Sequence, residues 1–181
     1  MEQFKAGQHQ SFEAFCHDNQ LDNRPVIALL AGSRRQEVKD NLPAMIEAAS
    51  AFKDKYQLVL AKAPSLDDDY YAPFLKGKDI KAVSDKTYAL LSHSTAALVT
   101  SGTATLETAL FGVPQTVCYK TPVPRLIRFA FNHVLKVRFI SLVNLIADRE
   151  VVSELFAERF SVAQIRDDLR SCLLYTSPSP R

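Results

Sequence analysis

The sequence predicts an α/β protein built on a doubly wound, mostly parallel sheet. Short, continuously apolar runs alternate with longer segments of helical periodicity, in a β-α order that repeats about five times. The runs do not alternate apolar with polar residues, so each predicted strand is buried on both faces, as in a parallel sheet under helices. Turns rich in small residues follow two of the runs. Together these observations indicate a doubly wound sheet.

The first 24 residues form a polar lead-in segment that ends at a turn signal, Asp22–Pro25. The domain itself is predicted over residues 25–170. Its five predicted strands are Val26–Ala31, Tyr56–Ala61, Ile80–Val83, Ala96–Thr100 and Gln115–Tyr119. The helices between and after them are predicted at about Leu42–Lys55, Asp69–Leu75, Lys86–Ser92, Thr103–Phe111 and Pro124–Leu135, with a further helical pattern at Val162–Leu169. Residues 171–181 abandon that pattern and resemble translated adapter sequence, so we predict a non-native tail there.

Composition excludes several classes of protein. With 47% apolar and 23% charged residues, the 181-residue chain is typical of a globular domain, and a net charge of +2 argues against a nucleic-acid partner. Three widely spaced cysteines suggest neither a disulfide framework nor a zinc site, so a cytoplasmic location is expected. Neither a transmembrane helix nor a signal peptide is expected, so any contact with a membrane is predicted to be peripheral.

Two strand-ending turns carry the predicted chemistry, because ligands of doubly wound sheets bind at the carboxyl ends of the strands. The first turn, Gly32-Ser33-Arg34, combines a flexible residue with a hydroxyl and a guanidinium that suits a pyrophosphate. Alternatively, it is an ordinary turn with a solvated arginine.

The second turn, Ser101-Gly102-Thr103, lets backbone N–H groups approach a phosphate closely. Glu107 follows Thr103 by four residues, on the same face of the predicted helix, where its carboxylate is placed to accept ribose hydroxyls. The alternative is a serine-capped helix that carries an exposed glutamate.

A basic apolar stretch follows the fifth predicted strand. After Glu107 the next acidic residue of the chain is Asp148. The cations between them are Lys120, Arg125, Arg128, Lys136 and Arg138. Such a stretch suits docking on an anionic membrane surface or on a phosphorylated lipid. It equally suits a helix packed in the core or against another subunit.

The remaining polar candidates are weaker. Asp67-Asp68-Asp69 has the spacing of metal-dependent sugar transferases, but a solvated helix start is the preferred interpretation. The four histidines are too scattered for a metal site. Asn144 lies in an apolar run, where it either caps a helix or contacts a ligand, and the residues leave this choice open.

Four motifs in order resemble the lipid-A-disaccharide synthase family over about residues 20–165. They are residues 29–34, residues 101–107, residues 113–120 and residues 140–147. Ala31 and Val143 depart from the family pattern, where proline is expected. The resemblance implies the nucleotide-binding, Rossmann-like half of a GT-B glycosyltransferase fold.

The resemblance also implies an activity: transfer of diacylglucosamine from UDP-2,3-diacylglucosamine to 2,3-diacylglucosamine 1-phosphate, with inversion and release of UDP. It assigns catalytic roles to Arg34 and Asn144, phosphate binding to the Ser101–Thr103 turn and ribose binding to Glu107. No metal or other cofactor is expected. It implies an enzyme on the cytoplasmic side of the inner membrane, in which a homodimer is possible. Because the catalytic base is expected in a missing N-terminal domain, the fragment is expected to bind UDP weakly and to transfer nothing.

Two other functions are compatible with these residues. Another GT-B enzyme, such as a peptidoglycan N-acetylglucosaminyltransferase or a UDP-sugar epimerase, would share the two turns but not the basic stretch. A non-enzymatic nucleotide-binding module would use its Rossmann-like domain for binding or assembly.

Overall fold

The computed structural model describes residues 10–100, 102–120 and 139–176. The strands are β1 (Val26–Leu30), β2 (Gln57–Lys62), β3 (Ile80–Ser84), β4 (Ser94–Val99), β5 (Gln115–Tyr119) and β6 (Ser153–Phe156). The helices are α1 (Phe12–Asp18), α2 (Arg35–Ala49), α3 (Asp68–Leu75), α4 (Thr87–Ser92), α5 (Thr103–Leu110), α6 (Leu142–Ala147) and α7 (Val162–Thr176), with short 3₁₀ turns at Ser50–Phe52 and Ala157–Arg159.

All strand pairs of the sheet are parallel, and the strand order is 3-2-1-4-5-6. The order reverses between β1 and β4, whose residues pair from Ile27 with Ala96 to Leu30 with Val99. The predicted doubly wound α/β fold is therefore confirmed. The five predicted strands are all present, with ends displaced by two residues or fewer.

Each face of the sheet carries its own core, because successive side chains of a strand point to opposite faces. Ile27 and Leu29 of β1 pack with helices α2, α3 and α7 on one face. Val26 and Ala28 pack with α1, α4 and α5 on the other face. All residues of β1 are buried, which is why the run reads as apolar throughout.

The lead-in segment contributes to the second of these cores. Helix α1 begins after Ser11, whose hydroxyl accepts the N–H of Ala14 at 3.2 Å, a common N-cap arrangement. Its Phe15 is fully buried, and the ring lies against His93 with 5.1 Å between centroids. Burial lowers the pKa of His93.

Two helix predictions were wrong in extent, and one strand was missed. Strand β6 was missed because it is only four residues long and includes a charged residue, Glu154. Helix α2 begins at Arg35 rather than near Leu42, and it continues through Pro43 because Val38, Leu42 and Met45 on its inner face are fully buried.

Helix α7 continues to Thr176, so the predicted loss of helix after Leu169 is also wrong. The reason is a spacing of four residues that runs on through Ile165, Leu169 and Leu173, all of which are buried in the first core. That residues 171–181 are a non-native tail stays a prediction. The predicted helix Pro124–Leu135 lies outside the described residues. Within the part of the chain that the structure describes, no helix is long and apolar enough to cross a membrane.

Candidate donor-nucleotide site

A cavity of about 510 Å³ lies at the carboxyl edge of the sheet, where the strand order reverses. The backbone N–H of Thr100 donates to the carbonyl of Leu30 at 2.8 Å, so the turn after β1 and the turn after β4 lie side by side. Ligands of doubly wound sheets bind at such a reversal, because the two crossover connections diverge there.

Both predicted turns meet in this cavity. Of the predicted site residues, its wall contains Gly32, Ser33, Arg34, Gly102, Thr103 and Glu107. Ser101 lies outside the described residues. The structure thus brings together residues that are about 70 positions apart in the sequence.

The first turn depends on Gly32, which has φ +100°, a conformation that favours glycine. Arg34 adopts the N-cap position of α2, and its side chain is 83% exposed at the mouth of the cavity. Ser65, on the loop after β2, donates its hydroxyl to the carbonyl of Ser33 at 2.8 Å. The arginine is therefore accessible while its backbone is fixed.

Glu37 completes this turn, and the sequence reasoning missed it. Its Oε2 accepts the backbone N–H groups of Ser33 at 3.0 Å and of Arg34 at 3.3 Å. Its Oε1 lies 3.6 Å from Nη1 of Arg34. A glutamate three residues after a helix N-cap was a detectable signal, because that spacing is typical of capping.

The second turn begins α5 with Gly102 at φ +143°. Thr105 donates its backbone N–H at 3.2 Å and its hydroxyl at 2.8 Å to the carbonyl of Gly102, which fixes the helix start. Glu107, one turn later, is half-buried, and the hydroxyl of Tyr88 lies 3.5 Å from its Oε1. The negative charge of Glu107 raises the pKa of Tyr88.

Two further residues of the cavity wall were missed by the sequence reasoning. Lys62 ends β2 with its side chain only 14% exposed, and its Nζ lies 2.6 Å from a carboxylate oxygen of Asp68. Thr100 is 1% exposed, and its hydroxyl has no hydrogen-bond partner in the part of the chain that the structure describes. Neither residue belongs to a motif, so no sequence signal marked them.

Asn144 does not line this cavity. It is fully buried in α6, where Nδ2 donates to Glu154 Oε1 and to the carbonyl of Val152, both at 2.8 Å. Its Oδ1 accepts the N–H groups of Val151 at 2.7 Å and Val152 at 2.9 Å. The helix is capped by Ser141 rather than by Asn144. This geometry favours a structural role, and the catalytic role of Asn144 stays a prediction.

The acidic run after β2 starts a helix, as preferred from the sequence. Asp67 is the N-cap of α3 and accepts the N–H of Tyr70 at 3.0 Å. Among the described residues, no group of histidine, cysteine and acidic side chains has the arrangement of a metal site. Of the basic apolar stretch, only Lys120 lies in the described part.

The fold and the position of the cavity define a Rossmann-like α/β domain, and solved structures of similar fold are glycosyltransferases and related sugar-nucleotide enzymes. The chain aligns with Escherichia coli ADP-heptose lipopolysaccharide heptosyltransferase II at a TM-score of 0.61 and 12% identity, over 98% of this chain and 53% of that one. A glycosyltransferase involved in lipopolysaccharide biosynthesis aligns at a TM-score of 0.54 and 16% identity, over 90% of this chain and 41% of that one. These identities show the fold alone, which is the Rossmann-like half of a GT-B fold.

The family follows from the sequence. The family model described as lipid-A-disaccharide synthetase matches residues 4–177, and the chain belongs to this family. It is 34% identical to the lipid-A-disaccharide synthase of Geobacter sulfurreducens over 81% of this chain and 39% of that protein. It is 35% identical to the lipid-A-disaccharide synthase of Myxococcus xanthus over 85% of this chain and 41% of that protein. The chain therefore spans about two fifths of the length of these relatives.

Proposed function

We propose that this chain supplies the UDP-sugar site of a lipid-A-disaccharide synthase. The complete protein would transfer diacylglucosamine from UDP-2,3-diacylglucosamine to 2,3-diacylglucosamine 1-phosphate and release UDP. The observation that carries the proposal is the convergence of the Gly32–Arg34 turn and Glu107 on one cavity at the reversal of the strand order.

In this reaction an acceptor hydroxyl forms a bond to the anomeric carbon as the bond between that carbon and the diphosphate breaks. Negative charge develops on the departing diphosphate, and an accessible guanidinium at that position lowers the energy of the transition state. We assign this role to Arg34 because its backbone is fixed while its side chain is exposed. The proton of the acceptor hydroxyl passes to a base that we do not place among the described residues.

The other end of the nucleotide is assigned to Glu107. Its half-buried carboxylate lines the same cavity as the first turn, and a carboxylate there is able to accept hydrogen bonds from ribose hydroxyls. The proposed site uses no metal ion, because the exposed Arg34 guanidinium offers positive charge to the diphosphate.

Partners of the complete protein belong to the same proposal. The basic apolar stretch supports peripheral attachment to an anionic membrane surface on the cytoplasmic side. We also propose that the complete protein forms a homodimer. We propose no nucleic-acid partner.

Titration calorimetry with UDP tests the donor site in the 181-residue chain. Arg34→Ala is expected to weaken binding by about 1.5–3 kcal/mol, the range for losing hydrogen bonds to a charged group. The matched control is Arg170→Ala, which removes an exposed arginine of α7 that does not line the cavity and is expected to leave the affinity unchanged. Equal affinities of the Arg34 variant and the unaltered chain, or no UDP binding by the folded chain, would contradict the proposal.

A further inference from the structure

The carboxylate of Glu37 occupies the position that an anionic ligand of the first turn would take. One oxygen accepts two adjacent backbone N–H groups, those of Ser33 and Arg34, and the other faces the Arg34 guanidinium. Paired N–H groups at a helix start and an arginine are the donors that phosphate groups use. The protein thus provides an anion of its own at this turn.

The contact between Glu37 and the turn is closely packed. A Cβ atom on Gly32 would lie 2.5 Å from Oε2 and 2.7 Å from Cβ of Glu37, so no larger residue fits beside this carboxylate. The Glu37 side chain is 22% exposed, against 83% for Arg34. Glycine at position 32 is therefore required by the approach of Glu37 as well as by its own backbone conformation.

A second observation indicates that the cavity is shaped for a ligand. The hydroxyl of Thr100, in the wall of the same cavity, is buried and unpartnered within the described residues. A buried hydroxyl without a partner is costly unless another molecule satisfies it. Glu37 lines the cavity from the first turn of α2, and Thr100 lines it from the residue after β4.

We propose that Glu37 is a displaceable internal anion of the donor site, which the diphosphate of the nucleotide replaces on binding. This inference rests on the proposed function. The incoming diphosphate would meet N–H groups that are already engaged and a carboxylate of like charge, so the two anions cannot share the turn favourably. When Glu37 moves away, the N–H groups of Ser33 and Arg34 and the Arg34 guanidinium change partner from carboxylate to phosphate.

This exchange has a function in each state. Without donor, Glu37 satisfies the N–H groups of the turn and keeps α2 capped. With donor, a ligand that carries a diphosphate compensates for the lost carboxylate, whereas uridine alone does not. Glu37 thereby lowers the affinity for a ligand that carries a diphosphate and leaves the affinity for uridine unchanged.

The test compares two glutamates of the same cavity by UDP titration. Glu37→Gln keeps the shape of the side chain and removes its charge, and UDP is expected to bind about 3- to 10-fold more tightly, a modest range because the carboxylate is partly exposed. The matched substitution Glu107→Gln is expected to weaken UDP binding, because that carboxylate is assigned to ribose. Uridine should bind Glu37→Gln and the unaltered chain equally.

The outcomes separate this inference from the proposed function. If the unaltered chain binds UDP and Glu37→Gln binds it equally or more weakly, Glu37 only positions the turn and the inference is overturned while the donor site stands. If neither chain binds UDP although both are folded, the donor site is wrong and the inference falls with it.

A measurement on the unaltered chain covers the case in which Glu37→Gln fails to fold. Saturation with UDP is expected to shift the carboxyl ¹³C resonance of Glu37 together with the amide resonances of Ser33 and Arg34. A Glu37 carboxyl resonance that stays unchanged while the two amides shift at saturation would overturn the inference.

Discussion

At the scale of single residues, the first turn of the candidate site depends on the missing Cβ atom of Gly32. Gly32 and Gly112 both have positive φ, at +100° and +67°. A Cβ on Gly32 would collide with Glu37, whereas a Cβ on Gly112 would meet no heavy atom within 4 Å. A comparison of alanine substitutions at the two glycines therefore distinguishes the cost of a strained backbone from the cost of a collision with Glu37.

We expect Gly32→Ala to lower the free energy of unfolding by about 2–4 kcal/mol and Gly112→Ala by about 1 kcal/mol. Both variants force alanine into a strained conformation, but only the first must also displace Glu37 from the turn. Urea unfolding followed by circular dichroism measures both values. Equal losses in the two variants would show that Glu37 does not crowd this position.

At the scale of elements, a buried polar network joins α6 to β6. Glu154 of β6 accepts the N–H groups of Ile140 and Ser141 at 2.9 Å and the Ser141 hydroxyl at 2.7 Å. Asn144 adds its side-chain amide to the same carboxylate. This network, rather than apolar burial, holds a six-residue helix whose Leu145 and Ile146 are exposed.

Asn144→Ala is expected to lower the free energy of unfolding by about 2–4 kcal/mol, because it leaves two part-buried backbone N–H groups and part of the buried Glu154 carboxylate without partners. Chemical denaturation measures this loss. The matched control, Asn23→Ala, changes an exposed asparagine and should fall within about 0.5 kcal/mol of the unaltered chain. An Asn144 variant as stable as the control would favour a direct role in the reaction instead.

At the scale of the whole molecule, stability is linked to pH through thiols and a phenol that are buried or partly buried. Burial raises the pKa values of the thiols of Cys16, Cys118 and Cys172 and of the Tyr71 hydroxyl. Cys118 of β5 is fully buried. Above the pKa of an exposed thiol, the unfolded chain releases protons that the folded chain retains, so the folded state is progressively disfavoured.

We therefore expect the free energy of unfolding to fall as the pH rises above about 8.5, the ordinary pKa of cysteine. At pH 9.5 a thiol that stays protonated in the folded chain costs about 1.4 kcal/mol by this linkage. Urea unfolding at pH 7.5 and pH 9.5 measures the difference in stability, and Cys118→Ala should reduce that difference by about the same amount. An undiminished difference in the variant would mean that Cys118 ionises in the folded chain.

The sequence by itself determined the fold class and the two turns of the candidate site. These features are local: an apolar run specifies a buried strand, and a small-residue turn such as Gly32-Ser33-Arg34 marks the point where that strand ends. The Glu107 carboxylate was likewise predictable, because helical spacing from Thr103 fixes its face.

Only the tertiary structure decided which polar residues line the cavity and which form hydrogen bonds elsewhere in the molecule. Lys62 and Thr100 reach the cavity because β2 and β4 both flank β1, an order that no local pattern encodes. Strand β6 escaped prediction because the buried charge of Glu154 is compensated by donors 10 to 14 residues away in the chain. The physical reason is the same in each case: sequence patterns report which side chains avoid water, whereas a polar group's partner is set by the packing of distant segments.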